Sequence, residues 1–318
     1  MTADVAVVIL TYNEALHIER AIRSVAGFAS RVIVIDSYST DDTVRIADDL
    51  GAHVLQNPFV NQAQQFAWGL ANAAISEGWI LRLDADEVIG LDLANRIVHE
   101  LPTLPADVAG VTFDRRHIFM GRWIRHGGRY PLTLLRLWRR GQGRVEERWM
   151  DEHVVVWGGR TVAFEGIFED RNHKDISFFT AKHNNYATRE AIEVLCERHG
   201  LLLDRGDHVD QEKITDQANR KRAIKRIYNR VPFPISALAY FLFRFFIQLG
   251  FLDGTPGVVY HVLQGFWYRF LVGAKVTEFD TALRKVNGPN NKLLKLSELT
   301  GYNLNPTPLA ASQAVSQM

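Results

Sequence analysis

Short, nearly continuous apolar runs separated by polar turns fill the first ninety residues. The runs at 5–10 and 31–35 carry almost no polar positions, which is the pattern of strands buried on both faces in a parallel sheet covered by helices. Between them the polar turn Thr11-Tyr12-Asn13-Glu14 leads into a helical period at about 15–25. The second run ends on Asp36, and Ser37-Tyr38-Ser39-Thr40-Asp41-Asp42-Thr43 follows, with hydroxyls and carboxylates suited to capping a helix that reaches about residue 50. Asp41 and Asp42 are read as first-turn charge. A strand at 53–56, a helix at about 62–74 and a strand at 80–83 complete a β/α alternation, which predicts an α/β domain. Ligands of such sheets gather beyond the C-terminal strand ends.

The pattern changes after residue 200. Arg220-Lys221-Arg222-Ala223-Ile224-Lys225-Arg226 precedes an apolar run at 235–252, long enough to span a bilayer but with Arg244 at its middle, where it would cost about 2.5–3.5 kcal/mol. The turn Asp253-Gly254-Thr255-Pro256-Gly257 separates it from a second apolar-aromatic helix at about 258–275, carrying His261, Gln264 and Arg269. Two amphipathic helices lying in a membrane interface fit this arrangement best, ahead of ordinary core packing and of a true span. The basic stretch beside them favours an anionic leaflet. The expected organisation is a catalytic domain at 1–215, a helical membrane-associating region at 216–302, and a disordered tail at 303–318 containing Pro306 and Pro308.

The most informative chemistry lies in Trp79-Ile80-Leu81-Arg82-Leu83-Asp84-Ala85-Asp86-Glu87. An apolar strand delivers two carboxylates, one residue apart, to its C-terminal end. Hard oxygen ligands there suit Mg2+ or Mn2+ held against a diphosphate. Aspartates also fill solvated turns, so the pair gains its meaning from its neighbours.

Those neighbours are Leu10-Thr11-Tyr12-Asn13-Glu14, Asp36-Ser37-Tyr38-Ser39-Thr40-Asp41, the helix with Gln64-Gln65-Phe66, and Leu83-Asp84-Ala85-Asp86-Glu87. In this order they resemble the nucleotide-sugar half of family 2 glycosyltransferases of the GT-A fold, a Rossmann-like mixed, mostly parallel sheet with helices on both faces. Trp149-Met150-Asp151-Glu152-His153 and Lys182-His183-Asn184-Asn185-Tyr186 extend the likeness toward bacterial enzymes of surface polysaccharide or lipopolysaccharide core synthesis. The segments Gly250-Phe251-Leu252-Asp253-Gly254 and Arg269-Phe270-Leu271-Val272-Gly273-Ala274-Lys275 add to it. The resemblance implies that Thr11, Asn13, Glu14, Asp36 and Gln65 serve the nucleotide, that Asp84 faces the ribose or metal, and that Asp86 ligates the metal. It also implies an inverting hexosyl transfer with a carboxylate base, Glu152 preferred and Asp151 second. The donor is a nucleotide-diphosphate sugar, UDP-sugar favoured. The acceptor is a lipid-linked glycan or lipopolysaccharide at the membrane surface.

Other features bound this reading. His153, His173 and His183 fit no compact zinc spacing, and the single cysteine, Cys196, agrees with a reducing compartment. His183 and Asn184 are candidates for the acceptor side, with an ordinary helix surface as the alternative. Arg115, Arg116, Arg122, Arg125, Arg129 and further arginines to Arg148 interleave with Trp123, Tyr130 and Trp138, as phosphate and sugar recognition needs. That basicity is local, since 37 basic residues meet 36 acidic ones for a net charge of +1, which argues against a nucleic-acid partner. The first apolar run lacks a basic leader and is not a signal peptide, so the expected location is the cytoplasmic face of the bacterial inner membrane. Neither a G-x-x-x-x-G-K-[ST] loop nor a G-x-G-x-x-G turn follows the first strand, which removes the main support for ATPase and NAD-dependent chemistry. Two alternatives remain: a sugar-phosphate nucleotidyltransferase, for which Thr11-Tyr12-Asn13-Glu14 is the wrong phosphate loop, and a non-catalytic membrane-associated module binding nucleotide sugar or glycan.

Overall fold

The computed structural model describes residues 2–146, 153–201 and 232–304. Expectations that fall on 147–152, 202–231 and 305–318 lie outside the described residues; they include the boundary at 215, the basic stretch 220–226 and most of the tail. The chain divides into two compact units, residues 1–176 with 241–262 and residues 177–240 with 263–318.

The first unit is built on a mixed sheet. Its strands are β1 (Ala3–Thr11), β2 (Ala29–Asp36), β3 (His53–Gln56), β4 (Trp79–Asp84), β5 (Glu87–Ile89), β6 (Val108–Phe119), β7 (Arg122–Trp123), β8 (Thr133–Arg139) and β11 (Arg160–Arg171). A separate antiparallel pair is formed by β9 (Gly143–Val145) and β10 (Val154–Val156). The spatial order is β3-β2-β1-β4-β8-β6-β11-β5, with β7 on β6. The strands β3, β2, β1 and β4 run parallel, whereas β8 lies antiparallel to both β4 and β6. Helices α1 (Ile18–Val25), α2 (Thr43–Asp49), α3 (Gln62–Asn72) and α4 (Leu91–Glu100) connect and cover the strands.

Alternation along β1 explains why its apolar run is unbroken. Val5, Val7 and Ile9 enter a core shared with Ile18 and Ile22 of α1 and Leu93 and Ile97 of α4. Ala6 and Val8 enter a second core with Ala63 and Phe66 of α3 and Trp138 of β8. Successive side chains point to opposite faces, so a strand covered on both sides needs no polar position. On the second face α3 approaches closely: a Cβ on Gly69 would lie 2.7 Å from Ile35. The start of α3 is fixed by Asn61, whose side chain accepts from the Gln64 N–H at 2.8 Å.

The apolar run at 235–252 does not form one helix. It comprises α6 (Phe233–Leu242), a wider helical turn at Phe243–Ile247 and a short turn at Gly250–Asp253, with the break at Leu249, whose φ is 60°. Then follow α7 (Gly254–Tyr260), a second wide turn at His261–Trp267, and α8 (Tyr268–Leu283). No single described helix is long and apolar enough to cross a membrane. In the second unit, α5 (Ile176–His199), which begins one residue before it, is tied to α8 by charge. Glu190 accepts from Tyr268 Oη at 2.6 Å and Arg269 at 2.9 Å. Asp280 pairs with His199 at 2.6 Å and Arg198 at 3.2 Å. The last described helix, α9 (Pro289–Thr300), follows Gly288.

Candidate active site

Strand register brings the predicted residues to one edge. Thr11 pairs with Asp36 across β1 and β2, and Leu10 pairs with Asp84 across β1 and β4. The parallel strands therefore end together, with Thr11, Asp36 and Asp84 at the same C-terminal border.

Asp36 organises the β2 side. It is fully buried, and its carboxylate accepts from Thr11 Oγ1 at 2.8 Å, the Ser39 N–H at 2.8 Å, Ser39 Oγ at 2.5 Å and Gln56 Nε2 at 3.2 Å. The two loops beyond the strands then interlock. Asn13 donates its N–H to Ser39 Oγ at 2.8 Å and accepts the Thr40 N–H on Oδ1 at 2.8 Å. Asn13 and Tyr38 both adopt left-handed backbone, with φ of 53° and 60°. Non-glycine residues reach that region at a cost, and such strain gathers at binding sites. Asp41 contributes to the same lock as well as to first-turn charge, since it accepts the N–H groups of Thr43 at 3.0 Å and Ala15 at 3.1 Å. Gln65, also buried, donates to Ser37 Oγ at 3.1 Å and the Asn57 carbonyl at 3.0 Å. It borders a shallow pocket of about 340 Å³ lined by Asn57, Pro58, Val60, Gln64, Gln65 and Trp68.

Glu14 is held by groups that no local sequence pattern announces. Lys174 Nζ donates to its Oε1 at 2.8 Å and to the Asn13 carbonyl at 3.0 Å. His17 Nδ1 lies 2.6 Å from Oε2, while His17 Nε2 accepts the His173 N–H at 2.9 Å, so the Nδ1 proton points to Glu14. Burial alone would raise the Glu14 carboxyl, but the His17 and Lys174 bonds and charges outweigh it and hold the group below the ordinary glutamate range.

Behind the acidic pair lies a buried charge network. Asp84, with a side chain 30% exposed, faces Arg136 at 3.3 Å and Arg82 at 3.5 Å. Its N–H donates to Glu87 Oε2 at 2.9 Å, and Glu87 Oε1 accepts from Arg136 at 2.6 Å. Arg115 reaches Asp170 at 3.4 Å, and His117 pairs with the same carboxylate at 3.0 Å. Burial pushes the carboxyls up, but the Arg136, Arg82 and Arg115 charges overcome it at Asp84 and hold that group far below the usual carboxylate range. For Glu87, buried and beside the Asp84 charge, burial prevails and the carboxyl rises to about 8.

Asp86 stands in a different setting. Its Oδ2 accepts from Asn172 at 2.9 Å, and its carbonyl accepts the Arg171 N–H at 2.9 Å and Arg20 at 3.4 Å. Among the described residues no group of three or more His, Cys, Asp or Glu is arranged around one point to hold a metal. A diphosphate-bridging Mg2+ or Mn2+ needs one or two protein carboxylates, with phosphate and water completing its shell. Asp84 and Asp86 are the two carboxylates this border offers to such an ion.

The base candidates Glu152 and Asp151 lie outside the described residues. His153 begins the next described segment, and its carbonyl accepts the Glu146 N–H at 2.9 Å. In the second unit His183 is turned along its own helix, with Nδ1 2.8 Å from the Phe179 carbonyl. Glu87, Lys174, Asn172 and His17 were not among the residues singled out from sequence, and Arg136, read there as one of a cluster for phosphate and sugar, instead pairs with Glu87 and Asp84. The signal for Arg136 was a charge inside Leu134-Leu135-Arg136-Leu137-Trp138, since a strand buried on both faces admits a charge only with a partner.

Residues 6–150 match the family described as Glycosyl transferase family 2. Over those residues the chain is similar to the family 2 glycosyltransferases. An uncharacterized glycosyltransferase of Rickettsia typhi is 25% identical over 291 residues, covering 89% of this chain and 90% of its own. One from Rickettsia bellii is 43% identical over 97 residues, covering 30% of this chain and 32% of its own. The chain thus spans about a third of the length of the Rickettsia bellii protein at that identity. Among solved structures, a mycobacterial protein is 17% identical at a TM-score of 0.41, covering 59% of this chain and 73% of that one. Glucosyl-3-phosphoglycerate synthase from Mycobacterium tuberculosis, in complex with Mn2+, UDP and glucosyl-3-phosphoglycerate, is 24% identical at a TM-score of 0.29, covering 36% of this chain and 44% of that one. At those scores neither structure bears on chemistry. With its parallel β3-β2-β1-β4 half and antiparallel β8 insertion, the first unit has the GT-A type of α/β fold.

Proposed function

We propose that the protein is an inverting, metal-dependent glycosyltransferase that moves a sugar from a nucleotide-diphosphate donor, UDP-sugar favoured, to a membrane-associated glycan acceptor. The acceptor class is a lipid-linked oligosaccharide or lipopolysaccharide core, and the place of action is the cytoplasmic face of the bacterial inner membrane. The observation that carries the reading is the convergence of Thr11, Asp36 and Asp84 at one sheet border within a family 2 domain.

In this reading the interlocked loops around Asn13 and Ser39 shape the nucleoside end, and Gln65 fixes the pocket wall beside it. Asp86, with Asp84 behind it, would hold Mg2+ or Mn2+, which when bound would supply positive charge to the departing diphosphate. The charges of Arg136, Arg82 and Arg115 keep Asp84 ionised, and Arg136 fixes its direction. Glu152, or Asp151, takes the proton of the acceptor hydroxyl as its oxygen bonds to the anomeric carbon and the bond from that carbon to the diphosphate oxygen breaks.

Calorimetric titration with UDP-, GDP-, dTDP- and CMP-sugars, each with manganese, magnesium or EDTA, tests the donor site. Binding of one nucleotide sugar that disappears with EDTA supports the reading. Absence of binding under every metal condition removes it and leaves a module without donor chemistry. The Asp86→Ala variant should bind the donor with no response to metal, and an unchanged metal response would sink the ligand assignment.

A further inference from the structure

The segment 241–262, which belongs to the same compact unit as the sheet, is built inside out. Its charged side chains turn inward. Arg244 is buried and donates Nε to the Gly127 carbonyl at 2.6 Å. Asp253, equally buried, accepts the His126 N–H at 2.9 Å and faces His126 Nδ1 at 2.7 Å. The Gly127 N–H donates to the Gln248 carbonyl at 2.8 Å. Meanwhile Phe243, Phe246, Ile247, Leu249, Phe251 and Leu252 are exposed, Ile247 to 71%. Scattered exposed apolar residues are ordinary on a protein surface, but a run of them from 243 to 252 with that segment's own charges withdrawn marks a surface meant for an apolar partner.

The loop that receives those inward charges carries the opposite chemistry. Arg122 and Arg125 are exposed. The Arg122 guanidinium carbon lies 3.8 Å from where a Cβ on Gly254 would stand. Arg129 sits over the Tyr260 ring at 5.3 Å, at the far end of α7, and Arg125 lies over Trp123 at 5.5 Å. Ion pairs are plentiful in this chain, yet among the described residues none is formed by Arg122, Arg125 or Arg129. Guanidinium groups stacked on aromatic rings, without carboxylate partners, are disposed to take phosphate oxygens.

We propose that this hairpin and arginine loop form a docking surface for an anionic lipid bilayer, with Phe243, Phe246, Ile247, Leu249, Phe251 and Leu252 entering the acyl boundary and Arg122, Arg125 and Arg129 holding headgroup phosphates. Charge complementarity decides the occupant, because an apolar face bordered by unpaired guanidinium groups matches an acyl region topped by phosphate. A second copy of this chain would bring the same arginines against each other. The inference rests on the function proposed above only for the membrane location of the acceptor. It places that location on the sheet-bearing unit itself.

Flotation of the full-length protein tests it, using vesicles of phosphatidylcholine alone and of phosphatidylcholine mixed with phosphatidylglycerol. The protein should float with the anionic vesicles and be released from them by salt. Phe246→Glu with Ile247→Glu should abolish flotation. Arg122→Ala, Arg125→Ala and Arg129→Ala combined should weaken partition about a hundredfold, at roughly tenfold or less for each arginine. Donor titration on each variant checks folding, because neither set touches the donor border. It also separates the two readings, since flotation with no donor binding defeats the transferase and leaves the docking surface standing. Flotation unchanged by the glutamates, or equal on neutral and anionic vesicles with the arginine variant unaffected, would overturn the proposal. So would a stable dimer in sedimentation with no vesicle binding, which assigns the face to a second copy. If a variant fails to fold, the salt response and lipid preference of the parent protein decide alone.

Discussion

Two stretches of this chain are almost equally apolar as sequence and end in opposite environments. β1 is buried along nearly its whole length, whereas the hairpin within 241–262 exposes most of its large apolar side chains. The difference lies in what each stretch is given to cover it. β1 has helices on both faces and a strand on both edges, so its backbone and side chains are satisfied together. In the hairpin the few charged side chains receive the cover, through Gly127 and His126, and the apolar majority is left outward. An apolar run thus reports a preference for a non-aqueous environment and does not say which one.

The largest expected effect falls on the proposed base. Glu152→Gln should retain donor binding and lower transfer by about 10²–10⁴-fold, the usual contribution of a general base. Steady-state transfer and donor calorimetry on the same preparation check both halves. Transfer near the parent rate would move the role to Asp151.

Next comes the charge network that makes the border rigid. Arg136→Met leaves Glu87 and Asp84 facing each other without their shared cation, and unfolding in urea should show a loss of about 3–5 kcal/mol. Because Arg136 also orients Asp84, donor affinity should fall in the same variant even at temperatures where it is folded. A stable Arg136→Met protein with full donor affinity would show that Arg82 alone suffices.

A paired substitution probes the opening contrast directly. Phe66, buried against β1 and Trp138, should cost about 3–5 kcal/mol when cut to Ala. Phe246→Ala should change stability in water by no more than about 0.5 kcal/mol while lowering vesicle flotation. Equal costs at the two sites would mean that the hairpin is a core element after all.

How much of this could be read beforehand follows from the same physics. The strand ends at Thr11, Asp36 and Asp84 were legible because parallel strands of one sheet finish on one side, and local periodicity is enough to find where they finish. The boundaries of α1 and α3 shifted by a few residues, because the His17 and Ile18 N–H groups turn back to the Glu14 carbonyl and Ala74 adopts a φ of 46°. The contacts of Arg136, Lys174 and Asn172 were not legible. They depend on β8 pairing with β4 and on β11 returning beside β5, antiparallel pairings that no local period encodes. The break of the run 235–252 at Leu249 was hidden for a related reason, since a left-handed leucine is imposed by the surroundings and not chosen by the residue.

The smallest effect is a pH dependence, and it bears on whether the border is as fully satisfied as its hydrogen bonds imply. Burial raises the Glu87 carboxyl from 4.5 to about 8 in the folded state. Across that window the folded protein keeps a proton that the unfolded chain has released, so stability falls as pH climbs from 4.5 to about 8. Asp84 works in the other direction and at lower pH. Its carboxyl is depressed, so the stability it contributes is present above 3.8 and is lost as pH falls toward the folded value. The two contributions together give a maximum near the lower end of the Glu87 window. Arg136 and Arg115 offset part of the cost of ionising Glu87 and so limit the decline. In Glu87→Gln the amide keeps a hydrogen-bonding shape without titrating, and urea unfolding at intervals from pH 4.5 to 8 should show a flatter profile than the parent. A parent protein that gains stability over the same interval would mean that Glu87 is ionised throughout, with Arg136 and Arg115 outweighing its burial.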